Sequence, residues 1–141
     1  MAFDETGAVT NLSEQESWDL LAAQELGRLA TAVVNEPEIY PVNFVVDDRT
    51  IVFRTAEGSK LLELTVNNRV AFEVDEWDGE GGWSVLVRGQ AEALEHADEI
   101  DAAETLPLKP WVPTLKKTYV RIRPIAISGR RFRFGDEPAS W

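Results

Sequence analysis

Cysteine is absent from the 141 residues, which excludes disulfides, thiolate chemistry and iron–sulfur ligation. Histidine occurs once, at position 96, too seldom for a histidine-rich metal site. Positive charge is scarce: 14 lysines and arginines face 25 aspartates and glutamates, for a formal net charge of −11. A field of that sign repels polyanions, so neither nucleic acid nor an anionic membrane is expected as a partner. A small basic pocket for one phosphate remains compatible with it. No apolar run approaches the roughly 18 residues of a membrane span. The opening stretch MAFDETGAVTNL has neither the basic segment nor the apolar core of a signal peptide. The expectation is a cytoplasmic protein.

What is present is ordinary for a globular chain: 44% hydrophobic and 28% charged residues, in a length suited to one domain with its own core. A single domain over residues 1–141 is expected, with 1–11 loosely ordered. Ser13 and Glu16 form a capping box ahead of Trp18, Leu21 and Ala22, which predicts a helix over about 13–25 with Gly27 as its stop. Strands are expected at 29–35 and 39–47, parted by the turn-like EPE, and at 50–55 after the hairpin signal DDR. A short helix from Ser59 to about Val66 precedes a strand at 69–76, whose valines and phenylalanine alternate with polar residues. WDGEGG reads as a loop, and 83–94 as a long strand in which Gly89 marks a bulge. HADEIDAAETL reads as a helix, PLKPWVP as a stiff connector and 118–129 as a last strand that RRFRF extends or edges. Strands arriving in neighbouring pairs favour antiparallel order, and strands of this number tend to close into a small barrel.

The segment RTAEGSKLLEL, residues 54–64, places basic residues on both sides of a glycine where a helix begins. Two readings are open. Ser59 after Gly58 is a common helix cap. Alternatively, Gly58 lets the backbone approach an anion, Ser59 and Thr55 donate hydroxyls, and Arg54 and Lys60 add charge. The triphosphate-binding loop is excluded, since its glycine spacing is missing.

Across about residues 12–131, the stretches YPVNFV, FRTAEGSK and VRGQAE, in this order and spacing, resemble the pyridoxamine 5′-phosphate oxidase-like family of flavin-binding split β-barrels. The likeness is to its small actinobacterial-type and nitroimidazole-reductase-like members. It implies a mainly β fold with short helices, a six-stranded antiparallel split barrel, and a homodimer with FMN sites at the subunit interface. Carried over, Thr55, Ser59 and Lys60 would contact the FMN phosphate with Arg54 beside them. Pro41, Val42 and Asn43 would lie along the ribityl chain or the ring edge. Trp83 and Ser84 would reach the flavin from the partner subunit, and Arg130 would close the pocket. The family often has glutamine where Ser84 stands. Trp111, between prolines in KPWVP, would cover the pocket. Each residue also has a structural reading: Asn43 fixing a strand edge, Trp83 and Trp111 packing, Arg130 pairing with a carboxylate, His96 solvated at a helix start.

A flavin carries redox chemistry itself, so the lack of a nucleophile or acid–base pair does not count against an oxidoreductase. The oxidases that give the family its name hold their substrate's phosphate with a C-terminal arginine–histidine pair, and no histidine follows His96. That activity is not expected here, nor is haem, for which only His96 could be an axial ligand. The resemblance implies an FMN-dependent oxidoreductase acting on a small molecule. The alternatives are a reductase using the deazaflavin F420 and a non-catalytic dimer that stores or senses a cofactor.

Overall fold

The computed structural model describes residues 7–139. Its order is β1 (Val9–Leu12), α1 (Glu14–Ala22), β2 (Leu26–Val33), β3 (Glu36–Asp47), β4 (Thr50–Thr55), α2 (Lys60–Thr65), β5 (Arg69–Trp77), β6 (Gly81–Ala93), α3 (Ala97–Glu104) and β7 (Thr118–Arg133). The strands form one antiparallel sheet in the order β1-β7-β4-β3-β2-β5-β6, and a further β7–β6 pairing closes it into a ring of six. Closure leaves no free edge on those six strands.

β7 explains why the barrel is split. Its first half, to Ile122, pairs with β4, whereas residues 129–132 pair with β1, and β6 runs along its other side throughout. The bend between the halves is a bulge: Arg88 pairs with Ala126 but Gly89 with Pro124, so Ile125 is the extra residue. The sequence placed the irregularity at Gly89. The inserted residue lies opposite, and Gly89 is small because a Cβ there would stand 2.4 Å from the Arg123 carbonyl oxygen.

Alternation along the strands turns one set of side chains into the barrel. Leu29, Phe44, Ile51, Phe53, Phe72, Val85, Val87, Val120 and Ile122 fill it, with Trp18 and Leu21 of α1 and Trp83 packed against them. Outside, α3 lays Ala103 over Val52, Leu94 and Tyr119 as a second, smaller core. The predicted capping box is present: Glu16 N–H donates to Ser13 Oγ at 3.1 Å and Ser13 N–H to Glu16 Oε1 at 2.9 Å. The Ser13 N–H, and after it the Ser13 hydroxyl, hold the Glu16 carboxyl below the usual carboxylate range.

Four local expectations change. Residues 9–12 were expected to be loosely ordered, yet they pair with β7, because the far half of that strand needs a neighbour once β4 has ended. Gly27 does not stop α1, which ends at Ala22; it lies in β2, where a Cβ would collide with the Phe72 ring at 2.2 Å. The β2–β3 turn falls on Val34 and Asn35, both with positive φ, and Glu36–Glu38 already belong to β3. The Asp48–Arg49 turn has the same conformation, as the hairpin signal required. The WDGEGG loop narrows to a tight turn in which Asp78 Oδ1 accepts from Glu80 N–H at 2.7 Å and Gly81 N–H at 3.1 Å. Among the described residues no helix is long and apolar enough to cross a membrane, and no cluster of acidic or histidine ligands is placed to hold a metal ion.

Candidate functional site

β4 ends at Thr55, and the chain turns through Gly58, at φ +72°, into α2. The turn folds Ser59 back onto the strand, where its Oγ lies 2.9 Å from Thr55 Oγ1. The same oxygen accepts from Leu62 N–H at 3.1 Å, so Ser59 caps α2 as the structural reading required. Thr55 is buried. Lys60 points away from this pair: its side chain is 70% exposed and reaches Glu38 Oε1 at 3.1 Å. That contact raises the lysine's pKa.

Arg54 precedes Thr55 and faces the outer side of the sheet. Its guanidinium lies over the Tyr119 ring, 5.2 Å from the centroid. Nε and Nη2 both donate to the carbonyl oxygen of Lys116, at 3.0 and 2.6 Å. Among the described residues no carboxylate pairs with it. Lys116 belongs to a strap, residues 105–117, that has no regular secondary structure and links α3 to β7. The strap is tied down a second time at Asn43, whose Oδ1 accepts from Trp111 N–H at 2.8 Å while its Nδ2 donates to the Glu25 carbonyl at 3.1 Å.

Between strap and sheet lies a cavity of about 140 Å³, walled by Pro41, Val42, Asn43, Arg54 and Thr55 on one side and by Leu108, Pro110, Val112 and Lys116 on the other. Five of the ten residues picked from the sequence therefore share one cavity, and Ser59 touches it through Thr55. Lys60 stands outside it with its own carboxylate partner.

Trp83, Ser84 and Arg130 lie elsewhere. Trp83 is buried in the barrel core, while Ser84 and Arg130 face each other across the β6–β7 ladder. Trp83 also lines an open groove of about 650 Å³ with Gly81, Gly82, Arg131 and Phe132. Within one chain, these three do not join the Arg54 corner. Trp111 is 59% exposed and flanks a neighbouring cavity with Lys109 and Phe44. His96 caps α3 without a side-chain bond and stays exposed.

Sequence reasoning offered Trp111 of the strap as the pocket's cover; the cavity is lined instead by its neighbours Leu108, Pro110, Val112 and Lys116. A signal was available. Residues 105–117 hold three of the chain's four lysines and no acidic residue, in a protein with 25 acidic side chains.

The profile of the pyridoxamine 5′-phosphate oxidase family matches residues 13–131. An uncharacterized protein of Mycobacterium tuberculosis is 46% identical over 94 residues, 67% of this chain and 86% of the relative. Among solved structures, the FAD binding protein from Mycobacterium smegmatis superposes with a TM-score of 0.80 at 48% identity, covering 89% of this chain and 99% of that one. A FAD-binding protein from Mesorhizobium loti superposes at 0.74 with 27% identity, covering 87% and 97%. The closed ring of six strands is the split barrel of these neighbours, and the chain belongs to the pyridoxamine 5′-phosphate oxidase family.

Proposed function

We propose that this protein binds a flavin nucleotide, with the riboflavin 5′-phosphate at the Arg54–Thr55 corner, and acts as a flavin-dependent oxidoreductase on a small molecule. The observation that carries the reading is the uncompensated guanidinium of Arg54 in the wall of a cavity, next to a buried hydroxyl. A half-buried guanidinium that faces a cavity with only a neutral carbonyl as its hydrogen-bond acceptor favours an anion there. The structural neighbours support the cofactor class, since two of them are named for FAD binding. FMN is the expectation from sequence. FMN and FAD share the riboflavin phosphate, so the corner serves either.

The donor set fits. Arg54 keeps Nη1 without a protein acceptor among the described residues, and Thr55 Oγ1 and Ser59 Oγ share one hydrogen bond that can turn toward a ligand. Pro41 and Val42 give the cavity an apolar wall. Asn43 acts as a positioning residue, because both ends of its carboxamide are spent on Glu25 and the strap. A bound flavin supplies the electron and hydride chemistry, and the chain's part is to hold, orient and shield it.

A homodimer belongs to the same reading. Ile39 and Leu26, 69% and 39% exposed, leave apolar surface beside Pro41 and Asn43, and a second copy would cover it. It would also offer Trp83, Ser84 and Arg130 to a site they do not reach in their own chain. Purified protein should carry the absorbance of oxidised flavin or take up FMN or FAD, bleach with NADH, NADPH or reduced F420, and run as a dimer in native mass spectrometry. Flavin uptake with no reduction by any donor would leave the storage reading standing instead; failure to take up either flavin would end the proposal.

A further inference from the structure

The strap stands between two cavities. Its residues alternate: Leu108, Pro110 and Val112 wall the cavity of about 140 Å³, and Pro107, Lys109 and Trp111 wall the neighbouring one of about 450 Å³. The other wall is shared too, since β3 gives Pro41, Val42 and Asn43 to the first cavity and Phe44 and Val45 to the second. The two form one trough along β3, divided by residues 107–112. Divided, the Arg54 side is small. Pockets that enclose a drug-sized molecule run from about 300 to 1,000 Å³, and riboflavin 5′-phosphate is a molecule of that size.

Little holds the strap down. Leu106 and Leu108 pack against the smaller core, but none of residues 109–117 joins either core. Trp111, Val112 and Leu115 are exposed. Among the described residues, two side chains hydrogen-bond 109–117 to the sheet: Asn43 accepts from the Trp111 amide, and Arg54 donates to the Lys116 carbonyl. The bonds from Thr114 N–H and from Lys116 Nζ to Val112 O stay within the strap. A segment with so few buried apolar contacts opens at low cost. The Arg54 bond also occupies the donors that a ligand needs. Nε and Nη2 are the neighbouring pair of N–H groups that grips two oxygens of one phosphate, and both are spent on a single carbonyl.

We propose that residues 109–117 form an autoinhibitory lid, closed in this structure, that must release Arg54 and Asn43 before the cofactor enters. The inference rests on the flavin reading above. Release of the Lys116 carbonyl leaves the guanidinium to the phosphate, and release of the Trp111 amide from Asn43 joins the two cavities. Strap and phosphate compete for one arginine. Loosening the strap therefore raises the fraction of protein ready to bind and tightens binding.

The test mixes full-length apo-protein with FMN in a stopped-flow instrument and follows flavin fluorescence. Asn43→Ala removes the latch at Trp111. It should raise the association rate about three- to tenfold, the range of one neutral hydrogen bond, and leave dissociation within about twofold. Slower association with faster dissociation would make Asn43 a ligand contact and overturn the lid. A second variant locks the strap. The chain has no cysteine, so Asn43→Cys/Trp111→Cys can form a single disulfide, checked by mass. Oxidised, it should take up FMN at least about tenfold more slowly than the same protein after reduction, a comparison that a folding defect cannot imitate. Equal uptake in both forms would overturn the lid and spare the flavin reading. If the pair does not cross-link, the Asn43→Ala rates decide alone. No uptake by wild type, by Asn43→Ala or by the reduced double variant would sink the flavin reading with the lid.

Discussion

Arg54 and Arg121 stand on the same outer face of the β4–β7 ladder and meet opposite fates. Arg121, opposite Val52, donates from Nη1 to Asp47 Oδ2 at 3.0 Å and to Thr50 Oγ1 at 2.6 Å, and its side chain is only 12% exposed. Arg54, opposite Tyr119, finds one carbonyl oxygen and an aromatic face. Arg28 marks the other extreme, with Glu73 at 2.7 Å and Asp75 at 3.1 Å. Among the described residues, Arg69, Arg88 and Arg130 also have no carboxylate within ion-pair distance, but they are exposed, whereas Arg54 is half-buried in the wall of a cavity, and that makes it the informative one. Arg121 holds strands together. Arg54 holds its charge in reserve.

The largest expected effect separates the two directly. Arg54→Ala should weaken flavin binding by about ten- to a hundredfold, the range of one charge-assisted hydrogen bond at about 1.5–3 kcal/mol. Arg121→Ala should leave it within about twofold, as read by fluorescence titration. Stability should reverse the order. Arg121→Ala strands Asp47 and Thr50 and should lower the unfolding free energy by about 1–3 kcal/mol in urea titrations. Arg54→Ala should cost less, because the acceptor it frees is a neutral carbonyl and not a carboxylate.

Lys60 sharpens the same contrast at smaller scale. It stands beside the corner but is paired with Glu38 and mostly exposed, so Lys60→Ala should weaken flavin binding by less than about tenfold. Glu38→Gln, which frees the lysine, should strengthen binding by about two- to threefold. A Lys60 effect as large as that of Arg54 would move the phosphate toward α2.

The smallest effect is expected at Arg28. Burial, then the neighbouring Asp75, push the Glu73 carboxyl up to about 7 against the pull of Arg28. A carboxyl with a raised folded-state pKa binds more protons folded than unfolded. Its contribution to stability is therefore present at low pH and lost as pH rises from about 4.5 to about 7. Glu73→Gln should flatten that part of the stability–pH curve, followed by urea midpoints across the range. An unchanged slope would remove Glu73 as its source.

Much of this was legible in the chain. The alternation of Val70, Phe72 and Val74 announced β5, and Ser13 with Glu16 announced α1 to within a residue at its start. The corner itself was readable because Arg54, Thr55, Gly58 and Ser59 are close in sequence. What escaped notice was set by tertiary partners. Val9–Leu12 has no periodicity of its own and becomes a strand only because β7 outruns β4. Val34 adopts positive φ, which a β-branched residue resists, because the β2–β3 register places the turn there and not at Pro37. The strap has no helix or strand period, and its bonds to Asn43 and Arg54 span 68 and 62 residues. Composition alone could have flagged it. The same distance in sequence explains why Trp83, Ser84 and Arg130 could be proposed together with the corner although one chain does not gather them.

The most direct measurement compares riboflavin with FMN, which differ by the phosphate alone, on wild-type, Arg54→Ala and Arg121→Ala apo-protein. FMN should bind the wild type and Arg121→Ala at least about tenfold more tightly than riboflavin, and Arg54→Ala should lose most of that preference. The same preference in all three proteins would show that no phosphate sits at Arg54.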